Sequence, residues 1–375
     1  MPEWPTPSDA APVSGTELLL LGRRDRAEAR RKLGRLSVEE QASACSELRA
    51  EVRSEFLMLC DRPEDIVPLL PEADFVHTIR SGGMSEASWL LELASPPQLV
   101  ACFDLDCWDG HELNPSRIRE WIDALIEAGR PSLMEAMRVT DLELWLIAFR
   151  AETQVFVVGK EDEPPDGAFT PDGVVYFGIP EGVSPHRVHE AVHAAFERDQ
   201  PLYWRLVYGL LFESPADVEE HALRWRVNRL QDLGFPDREQ AMRVYRSLRA
   251  ESAPGEARVE HGGQLVRSFS LPKQLRGSLL GEALSELPSQ VAADALGYVL
   301  GVANSIAVAD KLQLSDPDSV PRALEKAVRG IDTGLRELAR VRGLPPHEVL
   351  EQTTPLDLFR TGATLEPQLR GPYRG

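Results

Sequence analysis

The sequence predicts a mainly α fold: stacked short helices and a helical bundle, with one small central β-hairpin. Three observations carry that expectation. Helix-capping signals and prolines suited to a first helical turn recur along the chain. Runs of β-branched and aromatic residues occur close together near the middle, at Thr153–Val158 and Gly173–Gly178. The longest apolar stretch, Val291 to Ala309, is interrupted by Asp294, Asn304, Ser305 and two glycines, so it reads as a core helix and not a membrane span.

Taken in order, residues 1–15 are rich in Pro, Ser and Ala and are expected to form a disordered tail. They lack the basic start and apolar centre of a signal peptide. Residues 16–151 are expected to form an N-terminal helical, solenoid-like region. Within it, Ser37-Val38-Glu39-Glu40 has the form of a capping box and opens a helix to about Cys60. Proline then starts short helices in Arg62-Pro63-Glu64-Asp65, Ser95-Pro96-Pro97-Gln98 and Asn114-Pro115-Ser116-Arg117, where its missing N–H would have no helical partner.

A central unit over 152–252 combines the hairpin with helices, and an acidic loop from Lys160 to Asp172 joins the two strands. Gly255–Gly263 reads as an exposed loop. A C-terminal helical region follows over 265–361. Residues 362–375, with two prolines and three glycines, read as a loose tail.

The charge balance narrows the partners. Sixty acidic against 41 basic residues give a net charge of −19, a surface that repels phosphate backbones and argues against nucleic acid. With no span or signal segment expected, no membrane partner is expected and the localisation expected is cytoplasmic. The four cysteines, Cys45, Cys60, Cys102 and Cys107, contain no Cys-x-x-Cys pair and read as free thiols of a reducing compartment.

The sharpest chemical signal is His189-Glu190-Ala191-Val192-His193. On a helix this spacing puts both imidazoles on one face, where they can share a zinc ion while the glutamate polarises a metal-bound water. Ser184-Pro185 reads as the helix start. Val188, Val192, Ala195 and Phe196 make an apolar stripe with His189 and His193 at its edge. A third ligand is needed. The helix opening at Ser214-Pro215 offers Glu219, placed inward by helical count between Ala222 and Leu230, and then Glu220.

A strand hairpin, this helix and a later glutamate-bearing helix together resemble the small core of the gluzincin metallopeptidases, over residues 153–229. The resemblance implies His189, His193 and Glu219 as zinc ligands and Glu190 as catalytic base. The sequence departs from it at His186 and Arg187, where a basic neighbour opposes a dication.

A second resemblance covers most of the chain. Leu90-Leu91-Glu92-Leu93-Ala94-Ser95-Pro96, Phe103-Asp104-Leu105-Asp106-Cys107-Trp108, Glu219 to Trp225 with Arg226, Arg229 to Phe235, Gly334-Leu335-Arg336-Glu337-Leu338 and Leu358-Phe359-Arg360-Thr361-Gly362 are similar to a bacterial family of helical proteins defined as a domain of unknown function. That resemblance implies no activity. It gives Glu219 and Glu220 a structural use, pairing with Arg224 or Arg226 at helical spacing.

Three lesser constellations have competing readings. Cys102, Cys107 and His111 lie among Asp104, Asp106 and Asp109, but their spacing matches no zinc module and their apolar neighbours place them at a core. Tyr203, Trp204, Tyr208, Trp225 and Tyr245 read as core more readily than as a recognition surface. Arg224, Arg226, Arg229, Arg243 and Arg246 can bind an anion, or pair with local acids.

Two functions from different classes remain open. One is a zinc-dependent hydrolase of peptidase type. The other is a non-catalytic helical protein that binds a protein partner or acts as a scaffold.

Overall fold

The structure, a computed structural model, describes residues 14–159, 163–253, 275 and 277–371. The expected disordered tail, apart from its last two residues, the Gly255–Gly263 loop and the first part of the C-terminal region lie outside them. Among the described residues the chain is mainly α, with two small antiparallel two-stranded sheets.

The cap signals act where the sequence places them. Ser37 Oγ accepts from Glu40 N at 3.1 Å while the Glu40 carboxylate accepts from Ser37 N at 2.7 Å. Pro63, Pro96 and Pro115 each begin a helix: Pro63–Ile66, Pro96–Asp106 and Pro115–Glu127. The long helix expected from Ser37 to Cys60 is instead two, Val38–Ser46 and Ala50–Leu57. The cause is Arg53. Its buried guanidinium takes the carbonyl of Ser46, the last residue of the first helix, at 2.9 Å and that of Leu48 in the link at 3.0 Å, and it pairs with Asp74 at 3.0 Å.

The central hairpin forms as β3, Gln154–Val157, against β4, Val175–Gly178, with Gln154 opposite Gly178 and Val157 opposite Val175. A smaller hairpin that the sequence did not signal precedes it: β1, Trp108–Asp109, against β2, Glu112–Leu113, turning at Gly110 with φ +69°.

Residues 16–151, expected to form a solenoid-like region, pack against the C-terminal helices. Here His77 Nε2 meets Leu314 O at 3.0 Å, and Gln313 Nε2 donates to Leu105 O at 3.2 Å, across more than 200 residues. One connected cluster of buried apolar side chains runs from Leu18 to Leu369.

The helix Ser289–Ala309 is long and apolar enough to cross a membrane by length and composition. It packs along Ser319–Arg342, and Asn304 Nδ2 donates to Gly234 O at 3.1 Å. The segment expected to be a loose tail is held as far as Gly371, whose carbonyl accepts from Lys326 Nζ at 2.6 Å. Gly362 to Leu365 finish the helix Pro355–Leu365, where Gly362 seats against the Gly330 carbonyl of Ser319–Arg342 with no room for a side chain.

Candidate functional site

The His-Glu-x-x-His segment is helical. It belongs to His186–Arg198, which begins one residue later than expected, with Pro185 O accepting from His189 N at 2.8 Å. Val188, Ala191, Val192, Ala194 and Ala195 are buried, and the two imidazoles sit at the stripe's edge with ring centroids 4.2 Å apart. Phe169 lies against both rings, at 5.0 Å from His189 and 5.8 Å from His193. Burial, then the neighbouring His189, holds the His193 imidazole below the ordinary histidine value.

Glu190 has a partner other than water. Arg130 Nε donates to Glu190 Oε2 at 3.2 Å while its Nη1 reaches Glu197 at 3.0 Å. Arg187, the departure from the gluzincin pattern, bonds Glu152 and Asp123 at 2.8 Å each, and Arg138 bonds Asp199 at 2.8 Å. These arginines fasten the helix to Pro115–Glu127 and Arg130–Val139.

The carboxylates expected as third ligand lie elsewhere. Glu219 and Glu220 are exposed on Pro215–Asp232, and Glu220 accepts from Arg224 at 2.9 Å. The buried row of that helix is Val218, Ala222, Arg226 and Leu230. Such an i, i+4 row is inclined to the helix axis. The face occupied by Ala222 to Leu230 therefore passes through Val218, not Glu219, one turn earlier. Among the described residues no three His, Cys, Asp or Glu gather into a set able to hold a metal. The pair His189 and His193, with Glu190 held by Arg130, does not fit a zinc centre as it stands.

The lesser constellations sort differently. Cys102 and Cys107 are fully buried, and burial pushes both thiols well above their ordinary range. Asp104 takes bonds from Arg229 at 2.6 and 2.8 Å, and Arg229 also grips Asp141. Arg243 pairs with Glu239 at 3.1 Å. Arg224, Arg229 and Arg243 thus pair with acids, whereas Arg226 and Arg246 have no carboxylate within 4 Å among the described residues.

The aromatic group corrects the core reading. Tyr203 is fully buried and its hydroxyl donates to Asp172 at 2.8 Å. Trp204, Tyr208 and Phe212, four residues apart on the helix Gln200–Phe212, are 49%, 61% and 68% exposed. Trp225 is also exposed. Tyr208 and Phe212 rings lie 5.0 Å apart, and Trp204 packs edge-on to Tyr203 at 5.1 Å. Gly209 brings this helix onto Leu146, where an added Cβ would meet Leu146 Cδ1 at 2.6 Å. The result is a shallow trough lined by Leu142, Leu146, Trp204 and Tyr208, with Glu143, Arg205 and Glu213 around it. Helical spacing could have signalled the ridge. Amphipathicity did not, because the opposite face of the helix is equally apolar.

Fold and site together define a mainly helical chain that keeps most of its charged motif residues in ion pairs and exposes one aromatic ridge. Its match to a family model is to the family of unknown function DUF6178, over residues 30–373, and the chain belongs to that family. No curated protein and no solved structure matches it.

Proposed function

We propose that the chain is a non-catalytic helical interaction protein that binds a protein partner over the Gln200–Phe212 helix. The observation that carries this reading is the exposed ridge of Trp204, Tyr208 and Phe212. Large aromatics cost little entropy to fix and dominate contact energies at protein interfaces, whereas an isolated exposed apolar residue means little. The trough beside the ridge, with an apolar floor and charges of both signs at its border, has the layout of an interface centre and rim.

The test places a photocrosslinking benzoylphenylalanine at Tyr208 in the host cell. A discrete adduct heavier than the chain is expected. It should be missing when the probe sits at the exposed Glu351, and depleted when Trp204 and Phe212 become Ser. No discrete adduct from position 208 overturns the reading. Elemental analysis addresses the rival: stoichiometric zinc that disappears in His193→Ala would return the hydrolase.

A further inference from the structure

Arg226 stands in the buried row of Pro215–Asp232 where a helix normally places an apolar side chain. Its guanidinium makes no ion pair closer than 4 Å. Nε donates to Asp104 O at 2.7 Å, Nη1 to Gly110 O at 3.1 Å, and the plane lies 5.0 Å over the Trp108 ring. Burial pulls its pKa down to about 10, so it stays charged at neutral pH. The carboxylate that acts on it, Asp104, is already held by Arg229.

Arg226 lines a small half-open pocket, with about 40 Å³ of room for water-sized groups, built by stretches far apart in sequence. The β1–β2 hairpin supplies Trp108 and His111. Pro215–Asp232 supplies Arg226 and Leu230, and the start of the helix Arg238–Met242 supplies Arg238. The end of Ser289–Ala309 and the turn beyond supply Lys311 and Leu312. In a chain of net charge −19 this pocket gathers three cations against one acid, Asp237, whose carboxylate is occupied capping Gln240 N at 2.8 Å. The field is felt by His111: burial first, then Arg226, Arg238 and Lys311, hold its imidazole below the ordinary value.

Two further observations mark the pocket as built. Trp108 Nε1, on a side chain 3% exposed, and His111 Nδ1 are buried with no hydrogen-bond partner. Lys311 is the sole non-glycine with positive φ among the described residues, at 55°. Its turn is clamped on both sides. Asp310 is held by Tyr245 and Lys326 at 2.6 Å each, Gln313 by the Leu105 and Asp106 carbonyls, and Leu314 O by His77.

We propose that this pocket binds a small organic anion, its carboxylate or phosphate head taken by Lys311, Arg238 and His111 and its apolar body by Trp108, Leu230 and Leu312. A point charge from lysine and a planar fork from arginine are the donors such heads use, and the mostly apolar lining favours a ligand larger than the head alone.

Calorimetric titration of the full chain with phenyl phosphate, benzoate, inorganic phosphate and benzyl alcohol tests this. Saturable one-to-one binding of phenyl phosphate or benzoate is expected, whichever is tighter naming the head group. Inorganic phosphate and benzyl alcohol should each bind about tenfold more weakly or worse. The double variant Arg238→Glu with Lys311→Glu, both exposed, should lose at least about tenfold in affinity with an unchanged circular dichroism spectrum. Lys311→Gly, which keeps the left-handed turn, should lose affinity too. Lys32→Glu, on a helix that lends no residue to the pocket, should change nothing. The proposal falls if neither aromatic anion saturates below about 10 mM, if benzyl alcohol binds as well as they do, or if the double variant binds like the parent.

Discussion

Lys326→Met removes one half of a buried ion pair while keeping most of the side chain's length. The ammonium donates to Asp310 Oδ2 at 2.6 Å, to the Tyr245 hydroxyl at 2.7 Å and to Gly371 O at 2.6 Å, and the two charged side chains are 4% and 1% exposed. Burial pushes the lysine below its ordinary value and the Asp310 contact opposes the shift. The intact pair therefore adds little net stability, since desolvation offsets attraction. Half a pair is a different matter. Methionine leaves the Asp310 carboxylate buried with only the Tyr245 hydroxyl, and losing one partner of a buried pair costs about 3–5 kcal/mol. Adding Asp310→Asn removes the stranded charge, so the double variant should recover to a deficit of about 1–2 kcal/mol. Urea unfolding followed by far-ultraviolet circular dichroism measures both, with the slope unchanged if only stability moves. A single variant that loses under about 1 kcal/mol, or a double variant as unstable as the single, would refute the reasoning.

Three more outcomes follow from the same structure. Gly334→Ala should destabilise by about 3 kcal/mol or more, because the new methyl overlaps the Leu358 carbonyl, whereas Gly297→Ala, with open space around it, should gain about 0.5–1 kcal/mol; thermal melts distinguish them. Burial holds His77 below the ordinary histidine value, so the folded chain resists a proton that the unfolded chain accepts; stability should fall as pH drops below about 6.5, and His77→Asn should flatten that slope in urea titrations at pH 7.5 and 5.5. All four thiols are buried, with burial pushing Cys60 up to about 12, so Ellman's reagent should modify none within minutes in the native chain and four in urea.

Local signals were legible wherever the responsible residues are close in sequence. The Ser37–Glu40 box, the proline starts and the β3–β4 hairpin each depend on a handful of neighbours, and each formed within one or two residues of its expected place. The misses share a cause: the deciding partner lies far away. Arg53 splits a helix by reaching back to carbonyls at the break, and it is committed there by Asp74. Gly362 meets the Gly330 carbonyl of another helix so closely that only a glycine fits there. Neither is visible in a window of composition.

The same distinction explains the candidate sites. His189 and His193 were placed together correctly because four residues of one helix decide their separation. Glu219 was turned inward by a phase taken from Ala222 and Leu230, and an inclined i, i+4 row does not keep that phase from one end of an 18-residue helix to the other. Arg226 shows the converse. Among neighbouring arginines its sequence context is no different, yet Arg224 and Arg229 found carboxylates and Arg226 did not. What sets it apart is a hairpin more than a hundred residues earlier and a turn some eighty residues later, which bring Trp108, His111 and Lys311 to the same pocket. A cation kept buried without a carboxylate of its own is costly. Three carbonyl and ring contacts from distant segments offset part of that cost. An anion in the pocket would offset more of it, so the head-group donors Arg238 and Lys311, which the binding experiment removes, act in a field that the residue fitting the helix pattern least well already sets.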